Sequence, residues 1–106
     1  MPPTEGFILK DVWLAIFIYA GEHDFKYPEN LQRISDSDIF SDKYPKRREF
    51  LSSSNLKYFP PPEPIRSPYA PEYKDTILLT YETNDWFFSI SVGSELKYYR
   101  KKIEKT

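Results

Sequence analysis

Cysteine is absent from this 106-residue chain, so no disulfide braces it and packing alone must hold its fold; the absence fits a reducing compartment. Glycine is nearly as scarce, with Gly6, Gly21 and Gly93 as the full set. Three isolated glycines cannot form a phosphate-cradling loop, nor the glycine-flanked elbow that presents a catalytic serine. Histidine occurs once, as His23 between Glu22 and Asp24. Without a second histidine or any cysteine a transition-metal site lacks its usual ligands, and a Ser-His-Asp relay would have to recruit this one loop residue. Asp36, Asp38 and Asp42, in DSDIFSD, imitate half of a calcium loop. They lack its central glycine and its distal bidentate glutamate, so helix capping accounts for them better. A bilayer-crossing helix needs about 20 apolar residues; the longest run here, Val12 to Ala20, has nine. The residues ahead of it balance Lys10 with Glu5 and Asp11, unlike the basic start of a secretory signal. Together these absences argue against an enzyme, a metal or cofactor, and a membrane span, and we expect an intracellular protein, cytoplasmic or, in a eukaryote, nuclear.

What the chain does have is aromatic surface and patterned charge. Nine Tyr, eight Phe and two Trp make up 18% of it, enough for both a core and an interface, since tyrosine is wet at one end. The net charge of −1 hides blocks of −5 (1–42), +4 (43–74), −3 (75–92) and +3 (93–106). A local basic patch is therefore compatible with a near-neutral total. The length suits one small domain, with 1–6 as a short leader and 59–75 as a proline-rich surface strap.

Thr76–Val92 (TILLTYETNDWFFSISV) organises the fold. With Asn84 and Asp85 at the tip, Thr83 faces Trp86, Tyr81 faces Phe88, Leu79 faces Ile90 and Ile77 faces Val92, all on one side. Leu78, Thr80, Glu82, Phe87, Ser89 and Ser91 take the other side, so an antiparallel hairpin has one apolar and one mostly polar face. Two strands alone are marginal in water, so another element must cover that apolar face. Ile8–Ala20 is the candidate: its length and the Gly21 stop favour helix over strand, with Leu9, Trp13, Ile16 and Ala20 as the inner side and Val12, Phe17 and Tyr19 on its flanks. Short helices are expected at Glu29–Ile34, from Ser35 onward, and at Tyr44–Asn55. Phe59–Tyr73 holds six of the ten prolines; it reads as an extended strap whose Phe59, Ile65, Tyr69 and Tyr73 dock on the core. Its P-x-x-P matches (Pro61 to Pro64, Pro68 to Pro71) are cheap in any proline-rich run. After Gly93, Ser94 caps a basic helix through Lys102, with a strand carrying Leu96, Tyr98 and Arg100 on one face as the alternative.

The expected class is α+β: an N-terminal apolar helix on a C-terminal hairpin, short helices between, and a basic C-terminal helix. This is similar to a winged helix in element order alone. Two functions follow. The first is a non-catalytic binding module, a regulator or subunit that meets another protein or a second copy of itself through Trp13, Phe17, Tyr19, Tyr69 and Tyr73. The alternative is a winged-helix-like transcriptional regulator contacting nucleic acid through Lys43, Lys46, Arg47, Arg48, Arg100, Lys101 and Lys102. Against the alternative stand the negative hairpin tip, the proline strap and a pI of about 5.8.

Overall fold

The alternating stretch Thr76–Val92 forms a hairpin, and in the computed structural model, which describes residues 5–35 and 49–101, that hairpin supplies the two central strands of a sheet. Strands β1 (Leu56–Tyr58), β2 (Ile77–Glu82), β3 (Trp86–Ser91) and β4 (Leu96–Arg100) run antiparallel in the order β1-β2-β3-β4. Helix α1 (Glu5–Glu22) lies across one face, with the single turn α2 (Gln32–Ser35) beside it. Residues 49–51 are also helical. That helix, expected to reach Asn55, ends there and 52–55 form turns, while its expected part 44–48, residues 36 onward of the one expected from Ser35, and the DSDIFSD acids lie outside the described residues.

Opposing residues share a face, so the strand register sorts the side chains. Leu56, Tyr81, Phe88 and Tyr98 form one row across the sheet, and Tyr58, Leu79, Ile90 and Leu96 the next. These rows carry the core: Leu79, Phe88 and Ile90 have no exposed surface. An aromatic chain extends along the same face, Phe50 to Tyr81 at 4.5 Å, Tyr81 to Phe88 at 6.3 Å and Trp86 to Tyr98 at 5.9 Å between ring centroids. From above, α1 contributes Leu9, Val12 and Ile16, all at 0% exposure. Each fully buried side chain of this size contributes roughly 1.5–3 kcal/mol. Val12, expected on a flank, is central, because the buried side of α1 spans about half its circumference.

Glycine at position 6 lets the start of α1 press onto the sheet. A Cβ there would sit 3.2 Å from Leu96 Cδ2 and 3.7 Å from Phe88 Cε1. Glu5 and Gly6, expected in a leader, are thus the first turn of the helix; residues 1–4 lie outside the described set. The helix also runs past Gly21. Asp24 and Phe25, with φ of 56° and 65°, turn it off by adopting the left-handed conformation, and the Phe25 amide closes the end on the Ala20 carbonyl at 2.7 Å.

Other expectations are corrected. The pairing of Tyr81 with Phe88 and Leu79 with Ile90 is as anticipated, but Ile77 pairs with Ser91, not Val92, because β2 carries one extra residue there. The bulge sends Leu78 into the core (0% exposed) and leaves Ile77 41% exposed. At the hairpin tip neither Asn84 nor Asp85 has positive φ; the Thr83 hydroxyl instead accepts the Trp86 amide at 3.0 Å and the Asp85 amide at 3.3 Å. The segment after Gly93 is a strand and not a basic helix. Val92, Gly93 and Ser94 form a three-residue hairpin loop, with the Ser94 amide on the Ser91 carbonyl and Ser94 itself at φ 66°. A Cβ on Gly93 would meet the Lys74 carbonyl oxygen at 2.9 Å, so that position requires glycine. The N-terminal helix on an antiparallel sheet makes the class α+β, as expected, with β4 standing where the closing helix was expected. The strap docks through Ile65 (3% exposed) and the partly buried Tyr73, while Phe59 (49%) and Tyr69 (62%) stay outside. It is extended only at first: residues 67–76 coil through successive turns, such as Lys74 N–H to Ala70 O at 2.9 Å.

Two measurements check this packing. Leu78→Ala is expected to cost about 2–5 kcal/mol in urea unfolding and Ile77→Ala under about 1 kcal/mol; equal costs would contradict the bulge. Tyr58 donates its hydroxyl to the Pro28 carbonyl at 2.8 Å, and burial, helped by Tyr27 and Tyr19, raises its pKa above the ordinary 10.0. The fold keeps this proton where the unfolded chain has lost it. Stability is therefore complete below that ordinary value and falls as pH rises toward the folded-state one. Tyr58→Phe should lose about 1 kcal/mol at neutral pH and flatten the alkaline decline, leaving the smaller share of Tyr27, whose phenol is raised by burial and by Tyr69.

Candidate interaction surfaces

Helix α1 is apolar nearly all round, so burying one side leaves hydrophobic residues on the other. At 3.6 residues per turn Phe7, Leu14, Ile18 and Gly21 line up opposite the buried stripe, with Phe17 alongside. Their exposures are 60% for Phe7, 49% for Leu14, and 40% for Phe17 and Ile18. Trp13, expected at a partner contact, points inward instead: it is 8% exposed and its indole N–H donates to the Val92 carbonyl at 3.0 Å. Phe17 stacks on its ring, 5.3 Å between centroids, and so continues the core outward. The remaining candidates do not converge on this stripe. Tyr19 is half-buried in a separate cleft, Tyr69 stands on the exposed strap, and Tyr73 packs on the core.

That cleft, of about 350 Å³, is lined by Tyr19, His23, Lys26, Tyr27, Glu29 and Arg33. His23 is exposed; its ring stacks on Tyr19 at 3.8 Å and Nδ1 lies 2.7 Å from the Tyr19 carbonyl oxygen, which fixes Nδ1 as the donor. Glu29 and Arg33 form an exposed ion pair at 4.0 Å, of the kind that contributes little. Among the described residues no three His, Cys, Asp or Glu side chains group as metal ligands, and no helix is long and apolar enough to cross a membrane.

The sheet face turned away from α1 has its own order. Lys57, Thr80, Ser89 and Lys97 form one row across all four strands, and Glu82, Phe87 and Tyr99 the next. Phe87 and Tyr99 stack across β3 and β4 with centroids 5.2 Å apart, and Tyr99 is 59% exposed. Lys101 pairs with Glu82 beside them. Of the basic residues expected to meet nucleic acid, Arg100 ends β4 and Lys101 follows it; Lys43, Lys46, Arg47, Arg48 and Lys102 lie outside the described residues. Residue types alone did not single out the Phe87/Tyr99 pair, because it exists only once the last segment is a strand.

Comparison with protein-family models, with curated proteins and with solved structures finds no match for this chain.

The hydrogen bond and charge of Lys101, with a smaller effect from Lys57, hold the Glu82 carboxyl below its ordinary value of 4.5. This ionised pair therefore supports the fold above the ordinary carboxylate range, and its contribution disappears as pH falls through the lowered value. In NMR titrations the Glu82 carboxyl should have a depressed midpoint that Lys101→Met moves back up. An unchanged midpoint in the variant would assign the depression to another cause.

Proposed function

We propose that this protein is a non-catalytic binding module, a regulator or subunit that works by docking another protein chain on the outer stripe of α1. The observation that carries the reading is the exposure of Phe7, Leu14, Phe17 and Ile18 on one side of a helix whose opposite side is the centre of the core. A helix serving only to roof the sheet gains nothing from large apolar side chains facing water; polar residues there would keep the core and improve solubility. Within the stripe Phe17 is held by stacking on Trp13, which is itself pinned to Val92, so that ring has little freedom to lose on association.

The partner's contact surface is accordingly apolar, of the kind an amphipathic helix presents. Partners range from a second copy of the chain to an unrelated subunit, and the sign of the test is the same for both. Replacing Leu14 and Ile18 together by Ser should leave the unfolding free energy within about 1 kcal/mol of the parent, because both are surface positions. The same variant should lose dimerisation in sedimentation, or the co-purified partner in affinity capture from the native host after nuclease treatment. A parent protein that is strictly monomeric and captures nothing would remove the proposal.

A further inference from the structure

We infer that the open face of the sheet is a stacking platform for single-stranded nucleic acid, centred on Phe87 and Tyr99. This site is on the opposite side of the core from the α1 stripe and is independent of it.

The argument begins with what the face spends its aromatic residues on. Phe87 and Tyr99 lie in register on neighbouring strands, on the side that α1 does not cover, and their rings pack only against each other among the ring contacts of the described residues. On the inner face Phe88 is fully buried and Tyr58, Tyr81 and Trp86 pack against the core, with Tyr98 at the edge 43% exposed. This outer pair adds little to the core and leaves Tyr99 59% exposed. The two rings stack on each other, which leaves the outer side of the exposed Tyr99 ring for a base, and because every nucleobase has a π-face such stacking has little regard to sequence.

Polar groups around the pair suit the rest of a nucleotide. The adjoining row places the hydroxyls of Thr80 and Ser89 between Lys57 at one end and Lys97 at the other. Lys101 lies on the far side of the pair and is occupied by Glu82. Lys97 is within 4.0 Å of Glu95, but both side chains are more than half exposed and the pairing is readily exchanged. The two rows hold Lys57 and Lys97 against Glu82, and with the flanking Lys101 and Glu95 the patch carries three lysines against two carboxylates, a small positive excess in a chain whose total charge is −1. Strands about 4.8 Å apart give four strands a width of roughly 15 Å, room for about two or three nucleotides. A duplex fits this surface poorly, because its bases are already stacked inward and only its phosphates could reach the lysines.

The test uses the full chain with fluorescein-labelled ten-nucleotide oligo-dT and oligo-U, and a hairpin duplex of the same length, read by anisotropy. Single strands should bind and the duplex should not. Raising NaCl from about 20 to about 200 mM should weaken binding about 25- to 125-fold, as expected for two or three phosphate contacts. Phe87→Leu with Tyr99→Leu keeps apolar cover on the strands but removes the rings, and should weaken binding about tenfold or more. Should that variant lose its fold by circular dichroism, NMR shift mapping on the parent protein decides instead: oligonucleotide must perturb Phe87, Ser89, Lys97 and Tyr99 and leave Leu14 and Ile18 of α1 unmoved. Absence of binding at low salt overturns the inference. So does binding that ignores the rings and treats duplex and single strand alike, which is simple charge attraction. Self-association that the Leu variant abolishes in sedimentation would make the face a protein contact and overturn it equally.

Discussion

The seating of α1 on the Phe88 and Ile90 side of the sheet is the contact on which the other features depend. A four-stranded meander with one apolar face is stable in water only if that face is covered, and α1 is the longest element able to cover it. Three details hold it in place. Gly6 allows close approach at the start of the helix, the indole of Trp13 satisfies the Val92 carbonyl in its middle, and the left-handed pair Asp24 and Phe25 turns the chain back at its end. The strap then locks onto that turn. Its Ile65 amide donates to the Phe25 carbonyl at 3.0 Å, and Arg66 lies over the Phe25 ring. Strain at two non-glycine residues is thus matched by contacts from a distant part of the chain, which is the circumstance in which such conformations persist.

Much of this frame was legible in the sequence where one residue type alternates with another. The pairing of Tyr81 with Phe88 and Leu79 with Ile90 could be read because polar neighbours on both strands leave one workable register. Legibility failed where the pattern is degenerate. Ile77, Leu78 and Leu79 are all apolar, so nothing in the residue types says which one is extra. Gly93-Ser94 serves equally as a helix start or a hairpin loop, and Leu96, Tyr98 and Tyr99 supply apolar positions at either spacing. The close approach of Lys74 to Gly93 decides the matter, and that is a contact between segments far apart in the chain. Three-residue β1 is too short to announce itself between serines and prolines.

The candidate surfaces divide in the same way. That α1 has more apolar residues than one stripe requires is visible from composition, but which of them face outward depends on how the helix is rotated on the sheet. Trp13, expected both on the inner side and at a partner contact, takes only the first of those places for that reason: its ring fills the interior and hydrogen-bonds there, while Phe17, expected on a flank, caps it from outside. Of the outer rows of the sheet only the hairpin half, Thr80, Glu82, Phe87 and Ser89, was legible, since the rest of the alignment needs β4 as a strand and β1 beside β2. A reading that ends in a helix scatters Lys97, Tyr99 and Lys101 around a cylinder. Pairing them with β3 sets Lys97 and Tyr99 in line with Ser89 and Phe87.

Because the two proposed surfaces lie on opposite sides of one two-layer core, occupying one does not obstruct the other. Between them stand Leu9, Ile16, Phe88 and Ile90, none with any exposed surface, and side chains packed this closely transmit a disturbance only by moving as a body. Coupling would require a second arrangement of that core which one ligand prefers over the first. Gly6 is where such an arrangement meets the tightest limit, since it brings the backbone of α1 against both Phe88 of β3 and Leu96 of β4, the strand that also carries Tyr99 on its other side. Any shift of β4 caused by a ligand on the outer face would be felt first at that glycine, at the end of α1 nearest Phe7. The physical route from one surface to the other is therefore short, and it runs through a single position that has no side chain to absorb the movement.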